Sequence, residues 1–107
     1  MDEMTIEWAP FHLAAGVTEA ELFRASEELQ REFLSRQDGF VRRELLRDKD
    51  GNWCDLVYWR DAAAAERIVA AVAESEVCRR YFRLMAVADP TEPAAGVQHY
   101  LLRRSYP

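Results

Sequence analysis

The run Phe40-Val41-Arg42-Arg43-Glu44-Leu45-Leu46-Arg47, then Asp48-Lys49-Asp50-Gly51-Asn52, then Trp53-Cys54-Asp55-Leu56-Val57-Tyr58-Trp59-Arg60, decides the fold. Both flanks are rich in aromatic and aliphatic residues, and the Asp-Gly pair between them supplies the positive φ that a hairpin loop needs. A β-hairpin over 40–60 follows. In its second arm Asp55 shares a face with Trp53, Val57 and Trp59, because successive side chains of a strand point to opposite faces. A carboxylate in such company needs a cation or a hydrogen-bond donor. Arg42 or Arg43 on the first arm can provide it, either as a cross-strand ion pair that fixes register or as a polar anchor inside a cavity. Cys54 falls on the other face with Leu56 and Tyr58 and reads as a small buried apolar residue.

Towards the N-terminus, residues 5 to 14 (Thr-Ile-Glu-Trp-Ala-Pro-Phe-His-Leu-Ala) read as a first strand that stops at Gly16. Pro10 removes a ladder donor there, which predicts an edge position or a bulge. Thr18 and Glu21 have the spacing of a capping box. The helix they open carries Leu22, Ala25, Leu29 and Phe33 on one stripe, widened by Phe23 and Leu34, and ends before Gly39. Towards the C-terminus, Asp61 is placed to cap a helix over the alanine run to about Glu74. Ser75 is placed to cap a third from Glu76 through Met85, carrying Val77, Tyr81, Phe82 and Met85. Asp89-Pro90-Thr91-Glu92-Pro93 breaks the pattern, and Val97 to Arg104 reads as the last strand. The order predicts an α+β fold of the ferredoxin-like, split βαβ kind, with a four-stranded antiparallel sheet and helices on one face.

A chain of 107 residues has room for one domain, 1–107. Half of its residues are apolar, but many are alanine, and a chain this short buries only about 60–70% of its unfolded surface. The sheet face away from the helices carries several of Trp8, Trp53, Trp59, Phe40, Tyr58, Tyr100, Leu101 and Leu102, whichever register holds. A homodimer, with two such sheets face to face as a barrel, would cover it. The 14 basic and 19 acidic residues give a net charge of −5, and Lys49 is the single lysine. Without a basic stripe, nucleic acid is not an expected partner. With no leader and no apolar stretch of spanning length, no membrane partner is expected and the chain reads as cytoplasmic. Cys54 and Cys78 lie far apart, with no metal-ligand spacing around them, and read as reduced thiols; no metal site is expected.

Gly39 to Leu45, Asp50 to Trp59, the alanine-rich helix that follows and a terminal strand with His99 together resemble the antibiotic biosynthesis monooxygenase-like proteins of the dimeric α+β barrel superfamily, closest to a small bacterial branch. The resemblance covers nearly the whole chain and implies the dimeric barrel. It also implies a choice of activities, since the superfamily includes cofactor-independent oxygenases of aromatic polyketides, haem-degrading enzymes and small isomerising or decomposing enzymes. Haem degradation is disfavoured on three counts. The ligating His position after Ser75-Glu76-Val77 falls near Phe82, the helical Trp is replaced around Ala71 and Val72, and the strand-one Asn position lies in Ile6-Glu7-Trp8.

Cofactor-independent monooxygenation of a small aromatic or hydrophobic molecule needs a closed apolar pocket, a proton acceptor and donors for a developing oxyanion. His99 is the expected base, with Asp55 as its orienting group. Arg42 or Arg43 would hold an anionic oxygen, and Trp53, Tyr58 and Trp59 would stack on the ring; no cofactor is implied. His12, near a strand end, is the weaker candidate base. Each residue also has a plain structural use: His99 as a strand or dimer-seam residue, the tryptophans as core, and Cys78 as helix-face packing despite the neighbouring Arg79 and Arg80. The alternative function is a non-catalytic member that binds a small molecule or only dimerises.

Overall fold

The computed structural model describes residues 3–86 and 96–107; the breaker segment 89–93 lies outside them. Its elements are β1 (Thr5–Phe11), α1 (Glu19–Glu32), a single 3-10 turn (Leu34–Arg36), β2 (Phe40–Arg47), β3 (Trp53–Trp59), α2 (Ala62–Ala73), α3 (Glu76–Phe82) and β4 (Gln98–Leu101). Each α-helix starts at the cap its sequence offers. The Thr18 hydroxyl accepts from Glu21 N at 3.1 Å, the Asp61 carboxylate from Ala64 N at 2.8 Å and the Ser75 hydroxyl from Cys78 N at 3.1 Å. The hairpin loop closes around Asp48, whose carboxylate accepts from Asp50 N at 2.8 Å and Asn52 N at 2.9 Å, with Gly51 at φ 86°.

The strands form one antiparallel sheet in the order β2-β3-β1-β4. The α+β, ferredoxin-like plan expected from the element order is therefore present. Four details differ from the sequence reading. β1 lies inside the sheet, not at its edge, and Pro10 is tolerated because β4 pairs only with Thr5 to Trp8. β1 also stops at Phe11: the chain then turns to the segment after α3, where Ala86 N donates to the His12 carbonyl and Ala14 N to the Leu84 carbonyl, each at 2.8 Å, with Leu13 bridged to Met85. That bridge also ends α3 at Phe82 instead of Met85. β4 runs only over Gln98–Leu101, shorter than the expected 97–104.

The register sorts the side chains. Thr5, Glu7 and Phe11, Arg43 and Leu45, Trp53, Asp55, Val57 and Trp59, and His99 and Leu101 share the sheet face that the helices lie against. Trp53 stacks on Phe11 at 6.4 Å and meets Phe23 edge-on at 6.0 Å, and Trp59 meets Phe40 edge-on at 5.9 Å. Leu22, Leu29, Phe33, Ile68, Cys78 and Tyr81 close this core from the helix side. Of the residues expected on the opposite face, Phe40, Trp53, Trp59 and Leu101 thus belong to the helix side. Trp8, Tyr58 and Tyr100 do lie opposite, with Ile6, Leu46 and Leu56. There Trp8 is 41% exposed, Leu46 40% and Tyr100 51%. Both cysteines are buried, and burial pushes both thiols up, outweighing the pull of Arg79 on Cys78. No described helix is long and apolar enough to cross a membrane.

Candidate functional site

A β-bulge decides which arginine meets Asp55. The β2–β3 register shifts between Phe40 and Arg42, so Phe40 and Arg43 both face the helices although three residues apart. Arg43, with 5% of its side chain exposed, donates from Nε to Asp55 Oδ1 at 2.8 Å, from Nη2 to the Tyr81 hydroxyl at 2.9 Å and from Nη1 to the Ser26 carbonyl at 3.2 Å. Tyr81 completes the ring by donating to Asp55 Oδ2 at 2.7 Å. Burial first, and then the Asp55 charge, push the Tyr81 hydroxyl above its ordinary pKa, so it stays a donor. Arg42 takes no part. It lies on the open face, 4.2 Å from the Tyr58 ring centroid and 3.5 Å from Glu44.

Above Arg43, between α1 and the start of β2, is a shallow depression of about 360 Å³ lined by Ser26, Glu27, Gln30, Arg31, Ser35, Arg43 and Leu45. Six of its seven lining residues are polar or charged, and it is open, unlike the closed apolar pocket expected from the sequence.

A second polar group lies on the same sheet face towards β4. Glu7 on β1 sits directly opposite His99 on β4, and His99 Nε2 is 3.4 Å from Glu7 Oε1. Burial raises the Glu7 carboxyl above its ordinary pKa; His99 works against that rise, Asp55 adds to it, and the nearby Trp59 indole opposes it. The indole favours the carboxylate without completing a hydrogen bond, for Trp59 Nε1 and Thr5 Oγ1 are buried polar atoms with no partner among the described residues. Thr5 and Trp59 are themselves cross-strand partners, so both orphans lie beside Glu7. Unsatisfied buried groups of this kind are uncommon in folded proteins.

The candidates of the sequence reading therefore divide. Asp55 is bonded to Arg43 and Tyr81 and not to His99; the carboxylate in contact with His99 is that of Glu7. His99 is about half exposed, and His12 is exposed and contributes only its carbonyl to the fold. Trp53 is buried in the core, Trp59 is buried beside Glu7, and Tyr58 lies with Arg42 on the open face. No group of three potential metal ligands occurs among the described residues. Glu7 itself was open to detection in one respect: it alternates with Thr5, Ala9 and Phe11, an acid on a strand face that is otherwise suited to burial.

The arrangement of sheet and helices is shared with known structures. SnoaB, a cofactor-independent oxygenase from Streptomyces nogalater, superposes with a TM-score of 0.66 at 23% identity, over 100% of this chain and 97% of that one. The chain has the antibiotic biosynthesis monooxygenase-like fold. A candidate antibiotic biosynthesis monooxygenase from Bordetella bronchiseptica also superposes at 0.66, with 18% identity over 96% of this chain and all of that one. Protein SO0527 from Shewanella oneidensis gives 0.61 at 21% identity, over 94% and 91%. No family model and no curated protein sequence matches the chain.

Proposed function

We propose that this protein is a homodimeric, cofactor-independent monooxygenase of a small aromatic molecule, a phenol or hydroquinone, with His99 as the proton acceptor. The observation that carries this reading is the pair of buried donors with no partner among the described residues, Trp59 Nε1 and Thr5 Oγ1, on the sheet face of Glu7, which pairs with His99. Buried donors of this kind stabilise charge that develops on a substrate oxygen. The likeness to SnoaB supports the reaction class. His99 would take the phenolic proton, and the phenolate would give an electron to O2. Recombination then forms a carbon–oxygen bond as a peroxide, and cleavage of the O–O bond releases water. A phenol and one O2 thereby yield a quinone and one water, with O2 as the sole oxidant.

The rival reading is a non-catalytic protein that binds a small molecule or only dimerises. It is favoured by the Arg43–Asp55–Tyr81 group, whose facing polar atoms are already spent on one another. Oxygen uptake with a panel of phenols and hydroquinones decides between them. The oxygenase reading expects uptake stoichiometric with quinone formed and a fall of about 100-fold or more in His99→Ala. Equal rates in the two proteins remove His99 as the base, and no uptake with any compound selects the rival.

A further inference from the structure

We propose that Glu7 is the positioning residue of this site, a carboxylate that holds His99 by Nε2 and leaves Nδ1 as the free acceptor for a ligand hydroxyl. This rests on the reading of His99 as a base, but its geometry is independent of the substrate. The two residues are directly paired across β1 and β4, so the sheet fixes their separation, and the contact joins Nε2 to Oε1 at 3.4 Å. In a neutral imidazole one nitrogen carries the proton and the other accepts, and the partner of the first decides which is which. A carboxylate at Nε2 selects the Nε2–H form.

The surroundings favour this use of Glu7 over a simple ion pair. From β3 the groups facing it are Val57 directly opposite, with Asp55 and Trp59 on the diagonals; from β4 the facing group is His99. Both oxygens of Asp55 are held by Arg43 and Tyr81, so it does not compete for the imidazole. A half-exposed ion pair adds little stability, whereas covering Glu7 opposes its ionisation. A carboxylate kept at such a place is accounted for by what it does to His99.

The test uses the whole protein, with ¹⁵N-labelled histidine and ¹³C-labelled glutamate. Wild-type His99, observed in its neutral form, is expected as the Nε2–H tautomer. Glu7→Gln keeps the shape of the side chain but offers both a donor and an acceptor, and is expected to give a mixture of tautomers. An Nδ1–H tautomer in the wild type, or an unchanged ratio in Glu7→Gln, overturns the proposal. As a second measurement, the Glu7 carboxyl should titrate above the usual glutamate range and rise further in His99→Gln; no change in that variant means the contact is absent and also overturns it. In the oxygen-uptake assay Glu7→Gln should lower kcat by about tenfold or more with KM changed by less than about twofold. An unchanged kcat overturns the positioning role. Tautomer selection in a protein that oxidises no phenol would instead leave Glu7 as the partner of His99 and overturn the oxygenase reading alone.

Discussion

Arg43 reaches Asp55 because the bulge at the start of β2 changes the parity of the strand, and this one irregularity is invisible in the sequence. Counting alternate residues from Phe40, which faces the helices, would turn Arg42 inward and Arg43 out. The need for a cation at Asp55 was legible from its apolar neighbours; the choice between two adjacent arginines was not. Tyr81 was legible as a helix-face residue, but its hydroxyl became a ligand of Asp55 only through the packing of α3 on the sheet. Glu7 depends even more on distant sequence, since its partner lies ninety-two positions away and meets it only in the β1–β4 register. The buried ring makes a prediction about stability. Asp55→Ala strands a guanidinium that is almost fully covered, and should cost about 3–5 kcal/mol in urea unfolding. Tyr81→Phe keeps the ion pair and removes one donor and one acceptor, so its cost should be about 1–3 kcal/mol. If Asp55→Ala proves as mild as Tyr81→Phe, the pair is not the lock that its burial implies.

At the level of elements, local chemistry explains what the sequence could tell. The capping oxygens and the Asp-Gly loop act within four residues, and the helix starts and the hairpin lie where these signals put them. The central place of β1 depends on which strands pair at long range, and Pro10 argued against it only because the extent of β4 was unknown. The junction between the 3-10 turn and β2 shows how local and tertiary demands combine at Gly39. Its φ is 87°, and a Cβ built there would lie 2.5 Å from the Ala64 Cβ of α2. Gly51 has nearly the same φ, 86°, with nothing within 4 Å. Gly51→Ala should therefore show backbone strain alone, about 1–3 kcal/mol. Gly39→Ala should show that strain plus the displacement of α2, a further penalty of about 1–3 kcal/mol. Thermal and urea unfolding of the two variants side by side would measure the steric part by difference, and equal costs would mean that α2 can move away freely.

For the whole molecule, the open sheet face is the unsettled account. Trp8, Leu46 and Tyr100 are exposed there beside Ile6, Leu56 and Tyr58, on the side of the sheet that the helices leave bare. A stable protein–protein interface covers about 800 Å² on each partner, roughly a ninth of this chain's 7404 Å² of accessible surface. Pairing of two such faces would remove the exposed Trp8 and Tyr100 rings from water together. The proposed homodimer is therefore expected at twice the mass of one chain in size-exclusion chromatography with light scattering at micromolar concentration. Trp8→Glu places a charge on that face at a position already 41% exposed, so it should yield a folded monomer. Val69→Glu places the same charge on α2, at a position 68% exposed, and should leave the dimer intact. A monomeric wild type would remove the basis for the barrel, and dissociation by Val69→Glu alone would move the interface to the helices. Because Glu7 and His99 lie on the opposite side of the sheet from Trp8, the Trp8→Glu monomer should also keep the His99 tautomer of the wild type. A tautomer that changes on dissociation would mean that the second copy helps to shape the site through the sheet.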